Sequence, residues 1–82
     1  MLALTFHTDL GHGWLEVDRS LIELFNLDIS DYSYIKGTKA YLEEDRDAGK
    51  LIDVLRAKHI EYKTTNKHFE GNHPIRNYRR FN

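Results

Sequence analysis

The sequence predicts an α+β fold: a small, mainly antiparallel sheet of four to five strands in the order ββαββαβ, with two helices packed on it. Three observations carry that expectation. Between Tyr32 and Glu44 (YSYIKGTKAYLEE) two short alternating runs flank a Lys36-Gly37-Thr38 turn, the local signal of a β-hairpin. The segment that follows repeats apolar residues at helical spacing, at Ala48, Leu51, Ile52 and Leu55. Finally, 82 residues with 40% hydrophobic content supply one core and leave no room for a second lobe or a large enclosed active site.

Taken in order, Leu2 to His7 alternates as a strand, with Leu2, Leu4 and Phe6 on one side and Ala3, Thr5 and His7 on the other. Thr8 to Gly11 reads as a turn. A second strand over His12 to Val17 then completes a hairpin, with Trp14 and Glu16 facing away from Leu15 and Val17. Gly13 inside that strand points to a bulge or a close approach by another backbone, although a spare glycine beside a turn is the commoner explanation. Asp18 caps a helix over Arg19 to Phe25, whose stripe is Leu21, Ile22, Leu24 and Phe25, and Asn26 stops it.

The central hairpin pairs Ile35 with Ala40. This puts Ser33, Ile35, Ala40 and Leu42 on an aliphatic face and Tyr32, Tyr34, Tyr41, Lys36 and Lys39 on an aromatic one. Acids from Glu44 to Asp47 suit the positive end of the next helix, with Asp45 as its expected cap and Arg56, Lys58 and His59 at its end. Ile60 to Thr64 reads as a fifth strand. Beyond it no long periodic run occurs, and His73-Pro74 interrupts any helix.

Charge divides the chain. Residues 1–65 carry eight Lys/Arg against twelve Asp/Glu, whereas residues 66–82 carry four cations against Glu70 alone. We therefore expect a single acidic domain over 1–65 and a basic tail over 66–82 that can dock on it. Absence of cysteine leaves stability to packing. With no apolar run long enough to span a bilayer and no basic-apolar leader at the start, the expected location is the cytoplasm, away from membranes.

No arrangement here is a catalytic signature, so the expectation is not an enzyme. His7 and His12, facing each other across the first hairpin with Asp9 between, could hold zinc, but none of the familiar paired-ligand spacings occurs, and surface or turn roles explain them. Glu43, Glu44, Asp45 and Asp47 could bind a divalent cation or serve in acid–base work; acids before a helix are explained by capping. The expectation is no metal and no cofactor. In the tail, Arg76, Arg79 and Arg80 interleave with Tyr78 and Phe81, a mixture able to contact phosphates and stack on bases.

Two resemblances add to this. GHGWLEVDRSLIELFNL followed by YSYIKGTKAYLEED resembles in pattern the swapped-hairpin transcription regulators of bacteria, which implies a related topology and a homodimer; their basic first strand and loop are replaced here by Thr8, Asp9, His12 and Glu16. Over nearly its whole length, through GHGWLEV at 11–17, YSY at 32–34, YLEED at 41–45 and PIRNY at 74–78, the chain resembles short proteins of bacterial phages and plasmids to which no activity is assigned. That likeness implies the setting of a mobile element. Small proteins of such a setting often bind and block a host protein, including components of antiviral defence, as anti-CRISPR proteins do. The expected function is a stoichiometric binding protein for a host protein or its own copy, through Tyr32, Tyr34, Lys36, Lys39 and Tyr41. The alternative is a nucleic-acid-binding regulator using the tail.

Overall fold

The computed structural model describes residues 1–81. Strands β1 (Leu2–Thr8) and β2 (Gly13–Asp18), helix α1 (Arg19–Leu24), strands β3 (Tyr34–Lys36) and β4 (Lys39–Glu43), helix α2 (Ala48–Ala57) and strand β5 (Tyr62–His68) follow one another as the sequence predicts. A 3-10 turn over Pro74–Asn77 and a two-residue strand, β6 (Arg79–Arg80), come after them. The result is an α+β fold with a six-stranded sheet in the spatial order β5-β1-β2-β4-β3-β6. Every pairing is antiparallel except that of β1 with β5.

Period-two alternation assigns the two faces. Phe6 pairs with Leu15, Leu15 with Leu42, and Val17 with Ala40, so the aliphatic positions of three strands line up on one side. There they meet Ile22, Leu51 and Leu55 of the two helices, and Leu42, Leu51 and Leu55 are fully enclosed. At about 1.5–3 kcal/mol for each large aliphatic side chain removed from water, this layer dominates the driving force for folding.

Local signals set the turns. The hairpin pairs Ile35 with Ala40 around Gly37, whose φ of 61° is the left-handed value required at the first position of a II′ turn. Both helices stop the same way, on a left-handed residue: Asn26 after α1 and His59 after α2. Each carries the paired bonds of a Schellman motif, Leu27 N–H to the Ile22 carbonyl and Ile60 N–H to the Leu55 carbonyl.

Several expectations need correcting. Asp18 stands at the cap position of α1 but makes no side-chain cap bond and pairs with Lys39 instead, and Leu24, expected in the apolar stripe of α1, is exposed. His7 lies opposite Trp14 rather than His12, because β1 runs one residue further, to Thr8, and β2 starts one residue later, at Gly13. Asp45 does not cap α2: the helix begins at Ala48 with Asp47 at the cap position, and Asp47 turns its carboxylate toward Ser30 and Ser33 instead of the helix amides. Strand β5 runs from Tyr62 to His68 rather than from Ile60 to Thr64, because its ladder with β1 runs the full length of both strands.

Gly13 marks a close approach, by a side chain rather than a backbone. A Cβ built there would sit 2.6 Å from the Phe6 ring, which leans diagonally across from β1 and packs on the core. We expect Gly13→Ala to cost about 1–3 kcal/mol in urea denaturation by forcing that ring outward. No loss of stability would show that the ring yields freely. No helix among the described residues is long and apolar enough to cross a membrane.

Candidate functional site

The face of the sheet away from the helices carries the aromatic residues. His7, Trp14, Glu16, Tyr41, Glu43 and Tyr34 alternate onto it from four adjacent strands. Left open, this face would expose several large rings. The C-terminal segment covers it.

After β5 the chain turns under the β1–β2 loop, where Phe69 N–H donates to the Thr8 carbonyl at 2.9 Å. It then crosses the back of the sheet through the 3-10 turn and joins the opposite edge as β6, pairing Arg80 with Tyr34 and Arg79 with Ile35. Ile75, at the middle of the crossing, has no exposed surface, and Trp14 beneath this layer is 2% exposed. Tyr78 lies on Tyr41 with ring centroids 5.2 Å apart, and His73 meets His7 at 5.2 Å and Trp14 at 6.0 Å. The molecule therefore has three layers: helices, sheet and tail.

Asp9 fixes the crossing. Its carboxylate, fully shielded from solvent, accepts both arms of the Arg76 guanidinium at 2.6 and 2.8 Å. It also accepts the amides of His73 at 2.9 Å and of Gly11 and His12 at 3.0 Å. The Arg76 hydrogen bond, aided by those amides and opposed by burial, holds the Asp9 carboxyl far below the usual carboxylate range. Burial, with the nearby His7 charge, lowers His73 from its ordinary value, so it is neutral at pH 7 and its Nδ1 accepts the Ile75 amide. Burial beside Glu16 raises Tyr41, which keeps its phenolic proton.

Where the tail passes from the 3-10 turn to β6 it leaves a cleft of about 540 Å³. Trp14, Tyr32 and Tyr34 form its walls, and each ring carries a guanidinium: Arg76 at 5.4 Å over Trp14, Arg46 at 4.3 Å over Tyr32, and Arg80 at 4.9 Å over Tyr34. His12, Glu43 and Asp45 complete the lining. These cations are differently committed. Arg76 belongs to Asp9, and Arg80 spends one N–H on the Asp31 carbonyl at 3.0 Å. The Arg46 guanidinium has no hydrogen-bond or ion-pair partner among the described residues, and its ring, Tyr32, is 48% exposed. Stacking occupies the flat face of a guanidinium and leaves its in-plane N–H fork for an acceptor.

The residues predicted from sequence are sorted by this geometry. Tyr32 and Tyr34 join Arg76 and Arg80 in the cleft, although they entered as members of two different candidate sites. Tyr41 and Lys36 both engage Tyr78, with the Lys36 ammonium 4.7 Å above its ring. Lys39 pairs with Asp18 at 2.5 Å, outside the cleft. Arg79 falls on the other side of β6, beside Ile35 and Lys36. Phe81 packs on the helix-side core, so both aromatics proposed to stack on bases are used within the fold. His7 bonds Glu16 at 2.7 Å, and no group of three His, Asp or Glu among the described residues is placed to hold a metal ion.

Sequence reasoning did not place Arg46 and Trp14 in this site. Arg46 had a signal, the lone cation in Glu43-Glu44-Asp45-Arg46-Asp47, and Trp14 shared the parity of Glu16. Joining them requires the pairing of β2 with β4, which local pattern does not supply. Fold and site together define a small α+β sheet protein whose aromatic face is clamped by its own C-terminal segment. Compared with known proteins, the chain matches no family model, no curated protein and no solved structure.

Proposed function

We propose that the chain is a small non-enzymatic binding protein that docks its aromatic–arginine cleft on an acidic surface of a protein partner and acts by occupying it. The observation that carries this reading is the exposed Arg46–Tyr32 stack beside Arg80–Tyr34. Tyr, Trp and Arg are the residues that concentrate binding energy at interfaces, and here they come together in one concave patch. Holding two guanidiniums on rings before the partner arrives reduces the side-chain entropy lost on binding. The cleft's other groups serve as scaffold: Arg76 neutralises Asp9, and Glu43 accepts the Asp45 amide at 2.9 Å. Given the likeness to phage and plasmid proteins, the partner is a host protein in the bacterial cytoplasm, and a defence complex is the target this reading favours.

The test is affinity capture from host extract, with nuclease treatment in parallel. We expect Arg46→Glu with Arg80→Glu to reduce capture of the wild-type partner by on the order of a hundredfold, and Tyr32→Ala by about tenfold, at unchanged melting temperature. Capture that survives the double charge reversal refutes the cleft as the interface. Capture that disappears with nuclease makes the partner a nucleic acid instead.

A further inference from the structure

The two edges of the sheet are treated differently. At one end the tail adds β6 and closes β3. At the other, β5 pairs only with β1, and its outer edge is open over seven residues. The strand is regular, contains no proline or glycine, and is exposed on both faces from Lys63 to His68. Its ladder runs through the odd positions: Leu2 N–H reaches the Glu61 carbonyl and Phe69 N–H the Thr8 carbonyl. Tyr62, Thr64, Asn66 and His68 therefore turn both backbone groups outward, where only water or another strand can satisfy them.

We propose that the protein forms a two-fold homodimer by antiparallel pairing of β5 with β5 of a second copy, the axis passing through Thr64. Charge and strand length together select that register: an axis on Tyr62 also sets Glu61 against a lysine, Lys63, twice, but it leaves Tyr62 against its own copy as the single pair inside the strand. With side chains kept on their own faces, the axis can pass through any residue of the strand. Placed on Lys63 or Lys67, it sets that lysine against its own copy. Placed on Thr65, it sets Lys63 against Lys67 twice, and placed on Asn66 it sets Lys63 against Phe69. Placed on Thr64, it sets Glu61 against Lys67 twice and Lys63 against Thr65. Opposite charges then meet in the closer, non-hydrogen-bonded pairs. In that register Tyr62 exchanges backbone bonds with Asn66 and Thr64 with Thr64, about six bonds in all. The two sheets become one, with both helix layers on the same side. The lysines that blunt the edge against other registers leave this one open.

The full chain should sediment with a mass rising from 9.7 kDa toward twice that value between low-micromolar and near-millimolar concentration. Glu61→Lys and Lys67→Glu should each weaken the dimer by about tenfold or more, since each replaces two attractive pairs with two repulsive ones, and the double swap should restore it. Thr64→Pro removes an outward N–H and no bond to β1, so it should leave a folded monomer. As a variant that makes no demand on folding, Thr64→Cys, in a chain without other cysteines, should cross-link to its own copy when treated with diamide, and Lys63→Cys should not. A wild type that stays monomeric throughout overturns the proposal. So does a dimer indifferent to Thr64→Pro, or one that the double swap fails to restore.

Discussion

Asp9→Asn is expected to destabilise the fold by about 3 kcal/mol, lowering the melting temperature by roughly 10–20 °C for a domain of this size. The carboxylate receives five hydrogen bonds with both oxygens, and an asparagine can serve only the donors that face its single carbonyl. Its amide would point N–H groups at the Arg76 fork or at the loop amides. Arg76 is 31% exposed and can swing into water, which keeps the loss at the lower end for a broken buried ion pair. Because the tail is the element released, the variant should also change the emission of Trp14, which Arg76 and His73 both touch. Unchanged fluorescence and stability would mean that Ile75 and the ring contacts hold the tail without Asp9.

The same network sets the response to acid. Asp9 has a folded pKa depressed below its ordinary 3.8, so the unfolded chain takes up the proton first. The stability it supplies is complete above that value and is lost as pH falls toward the folded pKa. His73 is also depressed, from 6.5, so the folded state binds its proton less readily and stability begins to decline below pH 6.5. Urea denaturation as a function of pH should therefore show a shallow fall from about pH 6.5 and a steeper one below about pH 4. The lower branch should flatten in Asp9→Asn. If it does not flatten, some other carboxylate governs acid unfolding.

How much of this was readable depends on the distance over which the information is spread. Gly37 between two alternating runs specifies the β3–β4 hairpin and its Ile35–Ala40 pair, and the apolar stripe of α2 specifies which side it buries; both signals are contained in a dozen residues or fewer. Strand β6 has no such signal, since two exposed arginines pair with Tyr34 and Ile35 only because the tail crosses the sheet. Asp9 and Arg76 meet across 67 positions. From composition, Arg76 could equally well contact a phosphate, and the partner that neutralises it is a turn aspartate whose local role, accepting the Gly11 and His12 amides, is complete without it. Parity correctly separated the aromatic face from the aliphatic one. What covers the aromatic face could not be read from parity, because the covering segment has no periodicity.

Asp47→Ala should destabilise the fold by about 3 kcal/mol as well, through a different connection. Its side chain has no exposed surface and accepts the Ser30 amide at 3.1 Å, the Ser30 hydroxyl at 2.7 Å, the Ser33 hydroxyl and the Lys50 ammonium at 3.1 Å. Burial raises its pKa, but the hydrogen bonds from Ser33, Ser30 and Lys50 outweigh burial and leave it lowered. Ser33 in turn accepts the Glu43 amide at 3.0 Å, so a chain of bonds runs from the end of β4 through Ser33 to the start of α2. Those three points bracket Tyr32, Tyr34 and Arg46, and the network therefore sets the spacing of the cleft's exposed stacks. Ser33→Ala alone should cost about 1–2 kcal/mol, by stranding the Glu43 amide and leaving one Asp47 oxygen with the Ser30 hydroxyl as its single donor. The double variant should lose less than the sum, because the two side chains act on one another. Additive losses in urea denaturation would mean that the serine and the aspartate hold their loops separately. In that case Asp47→Ala should leave partner capture as strong as wild type at temperatures where the fold persists, whereas a coupled network predicts that capture weakens first.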